Sequence, residues 1–212
     1  MTIITKQELI FAKQERQLHV VKNFYDKHLT WSQVNDIYDL NNGIDYSSFG
    51  TMVIANKENI VNNYQGALNE ISNAHKGEIQ FGVIIIHFIN DNDNTVDDPY
   101  CLKLSNKFYK DNPEKVPAGL TIKDDGIEGW PDGVWAPTIH SDPEDRFFIQ
   151  GNGKTLWKTF DDYKNITNTV VLEPGDLAYI PKGLLHSVDS LSIRHSITVA
   201  FSDDPEIVGS QP

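Results

Sequence analysis

Apolar residues follow two different periods along this chain. Up to about residue 77 many recur at three- and four-residue spacing, and beyond it they alternate or gather in short β-branched runs. Residues 5–17 read as a polar, amphipathic helix. Asn59–His75 reads as another, with Ile60, Tyr64, Ala67, Leu68 and Ile71 at helical spacing. Thr30 or Ser32 is placed to cap a helix through WSQVNDIYDL, because either hydroxyl can accept from an orphan amide of the first turn. Leu18–Phe24 (LHVVKNF) reads as a strand.

From Glu78 onward strand signals dominate: EIQFGVIIIHF, RFFIQ, KTLWKTF, NTVVL, DLAYIP and SIRHSITVAF, with corners such as GNG and EPGD between them. Leu102–Tyr109 reads as an inserted helix. Many short strands behind a helical preamble predict a mainly β fold with helical decoration, a barrel or sandwich with helices on one side. No stretch is rich enough in Pro, Gly or Ser to split the chain. A single domain over residues 1–212 is expected, with a mostly helical part at 1–77 packed on a β core at 78–205.

Composition narrows the function classes. With 18 basic and 30 acidic residues the net charge is −12, which repels phosphate backbones and disfavours nucleic acid as a partner. The longest apolar run, Phe81–Ile89, is strand-length and far short of a membrane span. The first residues, MTIITKQELIFAKQERQ, lack the basic region and apolar core of a secretory signal. The single cysteine, Cys101, excludes an internal disulfide. These features predict a cytoplasmic protein with neither membrane nor nucleic-acid partner; a homodimer is left open.

Two stretches carry chemistry. HSDPEDRFFIQGNGKTLW opens with His140 and Asp142 two residues apart, a spacing that points both side chains the same way from a strand end. LEPGDLAYIPKGLLHSVDS has a turn at Glu173–Asp176, an apolar strand broken by Pro181 and Gly183, and then His186. Together they offer two imidazoles and one carboxylate, the facial triad of non-heme Fe(II) oxygenases. A lone HxD motif is weak; the joint pattern is much stronger.

The family resemblance rests on these residues. PGDLAYIPKGLLH is similar to the second motif of cupins, with Gly175, Pro181, Gly183 and His186 in register, and HSDPEDRFFIQGNGKTLW resembles the metal strand of JmjC-type 2-oxoglutarate oxygenases. The resemblance covers roughly Pro137–Phe201. It implies a double-stranded β-helix (a jelly-roll), Fe(II) held by His140, Asp142 and His186, and hydroxylation coupled to decarboxylation of 2-oxoglutarate, with O₂ consumed and succinate and CO₂ released. It raises the expectation of a protein or peptide side chain as substrate, with a small molecule as the alternative.

A cation should hold the distal carboxylate of 2-oxoglutarate. JmjC-type enzymes place a lysine on the strand after HxD, but here that position is Thr155, and Lys154 is one residue out of register. RHSITVAF resembles the last barrel strand of prolyl hydroxylases, where an arginine clamps the cosubstrate. This points to Arg194, whose planar fork suits a carboxylate, with Ser196, Thr155 or Thr198 adding hydrogen bonds and Lys154 as the fallback. Trp130 and Trp135, in the loop leading to His140, are candidate substrate contacts, and Arg146 and Asp145, just beyond the ligands, are placed either to touch cosubstrate or substrate or to lie at the surface. Tyr179 is expected to pack in the barrel, with a hydroxyl that could reach the site. His195 is expected to face away from Arg194, and His87 is expected in the core. His19, His28 and His75 read as surface positions. Two other readings stay open: a metal-dependent cupin enzyme without 2-oxoglutarate (isomerase, lyase or simple dioxygenase), and a cupin-like binding module.

Overall fold

Thr5 opens the first helix with a capping box. Its side chain accepts from the Glu8 amide while the Glu8 carboxylate returns to the Thr5 amide, and helix α1 (Lys6–Gln14) follows. In the computed structural model, which describes residues 3–40, 45–48, 51–54, 57–87, 121–123, 126–128 and 139–202, a second box opens α2 (Trp31–Leu40). Here Thr30, not Ser32, is the cap: its hydroxyl accepts from Gln33 N at 3.3 Å and Gln33 Oε1 accepts from Thr30 N at 2.9 Å. Helix α3 (Lys57–His75) bends at Tyr64, which leaves helical geometry. Of the residues that the periodicity selected, Tyr64, Ala67, Leu68 and Ile71 are buried, the Ile60 side chain lies outside the described residues, and α3 buries Ala74 and His75 as well.

Twelve strands are present among the described residues. They are β1 (His19–Val21), β2 (Asp45–Ser48), β3 (Thr51–Ile54), β4 (Ile79–His87), β5 (Thr121–Lys123), β6 (Gly126–Glu128), β7 (Asp145–Gln150), β8 (Thr155–Phe160), β9 (Ile166–Leu172), β10 (Leu177–Ile180), β11 (Leu185–Ser190) and β12 (Arg194–Phe201). The strand expected over Leu18–Phe24 is shorter, and β2, β3, β5, β6 and β11 were not among the sequence-based expectations. Leu102–Tyr109 lies outside the described residues. No helix among them is long and apolar enough to cross a membrane.

The strands form a seven-stranded antiparallel sheet in the order β1-β10-β7-β12-β4-β3-β2, a three-stranded sheet β11-β8-β9, and the pair β5-β6. Alternation along each strand divides the core in two. Phe147 and Ile149 of β7, Leu177 and Tyr179 of β10, and Ile197, Val199 and Phe201 of β12 pack against α1, α2 and α3. Their neighbours Phe148, Ala178 and Ile180 turn the other way and meet Trp157 of β8 and Leu172 of β9. The large sheet is therefore covered by helices outside and by the small sheet inside. The space between the sheets is where the polar residues of β7, β8, β11 and β12 collect.

Gly153, at the β7–β8 corner, has φ +75°, and a Cβ there would collide with Ile193 O and approach Arg194 Cβ to 2.8 Å. A side chain at 153 would push this corner off β12 beside the residue expected to anchor the cosubstrate.

Candidate metal centre

His140 sits just before β7 and forms an isolated bridge to His186 at the start of β11. His140 N donates to His186 O at 3.0 Å and His186 N to His140 O at 2.8 Å. Gly183 N, in the turn before β11, donates to Asp142 O at 2.9 Å. These backbone bonds tie the two ligand-bearing segments together although they are more than forty residues apart. One ligand atom from each of His140, Asp142 and His186 lies within 4.8 Å of the other two. The two imidazole centroids are 4.4 Å apart.

Hydrogen bonding sets the chemistry of this cluster. The His186 Nδ1–H donates to Leu184 O at 2.9 Å, so the lone pair is on Nε2, which faces Asp142 Oδ2 at 3.7 Å. Burial pushes the His186 imidazole below its ordinary value, His140 and Arg146 add to this, and the Leu184 bond and the Asp142 charge oppose it. Asp142 Oδ1 is 3.2 Å from Arg146 Nη2, leaving Oδ2 toward the histidines. The donor set and its convergence fit a divalent cation with imidazole and carboxylate preference. His186 also stacks on Trp157, with centroids 5.4 Å apart and planes 22° from parallel.

The aromatic contacts continue from there. Trp157 meets Phe148 edge-on at 4.9 Å, and the Arg194 guanidinium carbon lies 5.8 Å from the Phe148 ring centroid. Arg194 is 5% exposed. Its Nε donates to Ser190 Oγ at 2.8 Å and its Nη1 to Ser196 Oγ at 2.6 Å, and among the described residues no carboxylate pairs with it. Burial pulls its guanidinium down to about 10. A buried cation ringed by hydroxyls is a strong receptor for an anionic group. Ser190 was missed in the sequence because β11 was missed: counting by two from His186 along the strand reaches Val188 and Ser190 on one face.

The remaining candidates sort by face. Thr155 is buried on the inner side, but its one hydroxyl proton goes to Gln150 Oε1 at 3.0 Å while it accepts from Trp157 Nε1 at 3.2 Å. Thr198 is buried on the same face as Ser196, opposite Phe148 in the β7–β12 ladder. Lys154 is not brought to that face: it lies in solvent with Nζ 2.6 Å from Glu173 Oε1. His87 holds the register position opposite Arg194 in the β4–β12 ladder. Trp130 and Trp135 lie outside the described residues.

Four histidines correct or sharpen the sequence reading. His75 is not a surface residue; it is fully buried because its Nε2 meets Asp145 Oδ2 at 2.9 Å from across the core. His19 and His28 are half-buried. His195 faces the helical side as expected, donating from Nε2 to Leu29 O at 2.6 Å with Trp31 packed against its ring. Tyr179 and Asp145 likewise face the helices, so the Tyr179 hydroxyl does not reach the inner space.

Burial, aided by His28 and Arg194, pushes the His195 imidazole down to about 3. Between that value and the ordinary ~6.5 the unfolded chain binds a proton that the folded chain refuses, so stability falls as pH drops through this window. The full effect is up to roughly 5 kcal/mol. Urea denaturation from pH 7.5 to 4.5 should show about half of this loss, roughly 2.7 kcal/mol, and His195→Gln should flatten it; an equal pH slope in both proteins would refute the assignment.

Comparison with known proteins places this geometry. Residues 131–206 match the JmjC domain. The family's span thus includes all three clustered side chains and Arg194. In sequence, no curated protein matches the chain. Among solved structures, the ribosomal oxygenase YcfD from Escherichia coli is similar at TM-score 0.57 and 15% identity, with 98% of this chain and 54% of that chain covered. A second structure of the same protein gives TM-score 0.54 and 15% identity, with 99% and 55% covered. This chain therefore spans about half the length of those structures. At that identity the likeness establishes the fold, a JmjC-type double-stranded β-helix with helical decoration.

Proposed function

We propose that this JmjC-type chain is an Fe(II)- and 2-oxoglutarate-dependent oxygenase. The observation that carries the reading is the pairing of two sites between the sheets: the His140–Asp142–His186 cluster, and the buried Arg194 guanidinium that has two hydroxyl partners and no carboxylate among the described residues. An isomerase or lyase of the cupin kind has no need of the second site.

In this reading His140, Asp142 through Oδ2 and His186 through Nε2 hold Fe(II). When bound, the iron supplies reduction of O₂ coupled to oxidative decarboxylation of 2-oxoglutarate, giving succinate, CO₂ and a hydroxylated substrate. The chain's own residues do the placing. Arg194 binds the distal carboxylate. Ser190 and Ser196 each accept a bond from the guanidinium, so each keeps its own proton to donate to the same anion. Leu184 O fixes the His186 tautomer, and Arg146 holds Asp142 to one oxygen. Phe148, Trp157 and Val188 keep the space between the two sites dry. The helical part at 1–77 belongs to the same unit as the core at 78–205; what supports this is the cluster shared by α1, α3 and the large sheet.

For the substrate we favour a protein or peptide side chain, because the fold is shared with a ribosomal oxygenase and the net charge of −12 suits a basic polypeptide. The test is anaerobic titration of the Fe(II)-loaded full chain with 2-oxoglutarate. The expected results are a visible charge-transfer band of the chelate and, once air is admitted, succinate. Iron-loaded protein that gives neither would return the site to the cosubstrate-free cupin class.

A further inference from the structure

One buried charge cluster takes no part in the chemistry above. Asp145, the first residue of β7, is fully buried on the helical side of the large sheet. Its Oδ2 receives Lys13 Nζ of α1 at 3.2 Å, His75 Nε2 of α3 at 2.9 Å and the Tyr179 hydroxyl of β10 at 3.0 Å. Its Oδ1 receives the backbone amide of Lys182 at 2.8 Å. Gly77 N donates to His75 Nδ1 at 3.2 Å, so His75 carries its proton on Nε2 and gives it to the carboxylate. Burial pushes the Asp145 carboxyl up, but the His75 bond, the Lys182 amide and the Lys13 charge outweigh it and hold it at about 2.

The Lys182 bond is the informative one. Lys182 lies in the turn between β10 and β11, which delivers His186. The next amide, Gly183 N, bonds to Asp142 O, and Leu184 N closes the turn on Pro181 O at 3.1 Å. Asp145 stands three residues after Asp142. The same carboxylate therefore grips the turn before one candidate ligand from the strand that follows another. Buried ion pairs add little net stability, because the desolvation cost cancels most of the attraction, but they do fix geometry.

We propose that Asp145 is a positioning residue of the metal centre: it couples the helical layer, through Lys13 and His75, and strand β10, through Tyr179, to the Pro181–Gly183 turn that sets His186 against Asp142. The inference rests on the metal reading above. It makes α1 and α3 supports of the site and not merely a cover for the sheet.

The test uses the full chain and Co(II) alone as the probe. The double variant Lys13→Met/Asp145→Asn removes both charges together and leaves no orphaned ion. Its amide oxygen should turn to the two remaining donors, His75 and Tyr179, which points its NH₂ at Lys182 N–H and breaks the grip on the turn. We expect Co(II) binding weakened roughly tenfold or more and faster hydrogen exchange at the Lys182 and Gly183 amides of the metal-free protein. Tyr179→Phe, which removes one bond and no charge, should move both readouts the same way by a few-fold, and it keeps the test alive if the double variant does not fold. Val199→Ala, a core truncation on the same sheet face, serves as the stability control and should move neither. Equal changes in the control would reduce Asp145 to a structural role, and unchanged exchange at Lys182 and Gly183 would overturn the proposal by itself. Wild-type protein that takes up no Co(II) would instead overturn the metal reading.

Discussion

Asp142→Ala in the full chain is expected to weaken Co(II) binding by at least ~100-fold and to abolish Fe(II)-dependent succinate formation. The magnitude follows from comparison. Removing a partner of a metal ligand costs about 10- to 100-fold in affinity, and removing a ligand itself should cost no less. Here there is an added penalty. Arg146 Nη2 sits 3.2 Å from Asp142 Oδ1, so deleting the carboxylate takes one of the guanidinium's negative partners away and leaves Glu144 Oε2, at 3.5 Å, to balance it. The site attracts a cation less as a result. The fold should survive, since Asp142 lies in a partly exposed loop and its link to Gly183 is through the backbone. Asp142→Asn separates the two effects, because it keeps the shape and loses the charge. Visible titration with Co(II), beside thermal melts of the metal-free proteins, measures both. Wild-type affinity in Asp142→Ala with the melt unchanged would remove Asp142 from the cluster.

The clustering of His140, Asp142 and His186 was legible in the sequence because its signals are local. HxD places two donors by strand geometry alone, and P-x-G-x-x-H marks a chain re-entering a sheet. The helices were legible for the same reason: Tyr64, Ala67, Leu68 and Ile71 are periodic, and Thr30 with Gln33 is a capping box. What could not be read is what depends on distant partners. His75 ends a helix among polar neighbours and reads as surface until Asp145, seventy residues on, is seen to meet it in the core. Strand β11, LHSVDS, offers two apolar residues because its inner face carries His186 and Ser190 as well as Val188. Binary patterning weakens where a face holds ligand chemistry, so this strand was hard to see. Lys154 shows the opposite case. Its one-residue offset from Thr155 predicted a turn away from the core, and its pairing with Glu173 in solvent matches that register.

Arg194→Met is expected to separate cosubstrate binding from stability. A buried guanidinium with hydroxyls but no carboxylate around it bears much of its desolvation cost uncompensated, and the fall of its pKa to about 10 is the sign of that cost. A shift of that size corresponds to roughly 3 kcal/mol at neutral pH, where the cation persists in both the folded and unfolded chain. Methionine has similar length, still packs on Phe148 and carries no charge. Against the relief stand two lost hydrogen bonds, to Ser190 and Ser196, each worth about 1 kcal/mol. The balance makes the variant as stable as the wild type or somewhat more so. Binding should go the other way. Losing the cation opposite a buried carboxylate costs about 2–5 kcal/mol, which weakens 2-oxoglutarate by a factor of ~30 or more. Urea denaturation of the metal-free proteins and anaerobic 2-oxoglutarate titration of the iron-loaded ones give the two quantities. An added check is ligand-linked: a fixed 2-oxoglutarate concentration should raise the melting temperature of the iron-loaded wild type by clearly more than that of Arg194→Met. A variant that is several kcal/mol less stable yet binds the cosubstrate normally would make Arg194 a structural residue and return the anchor to the inner-face hydroxyls.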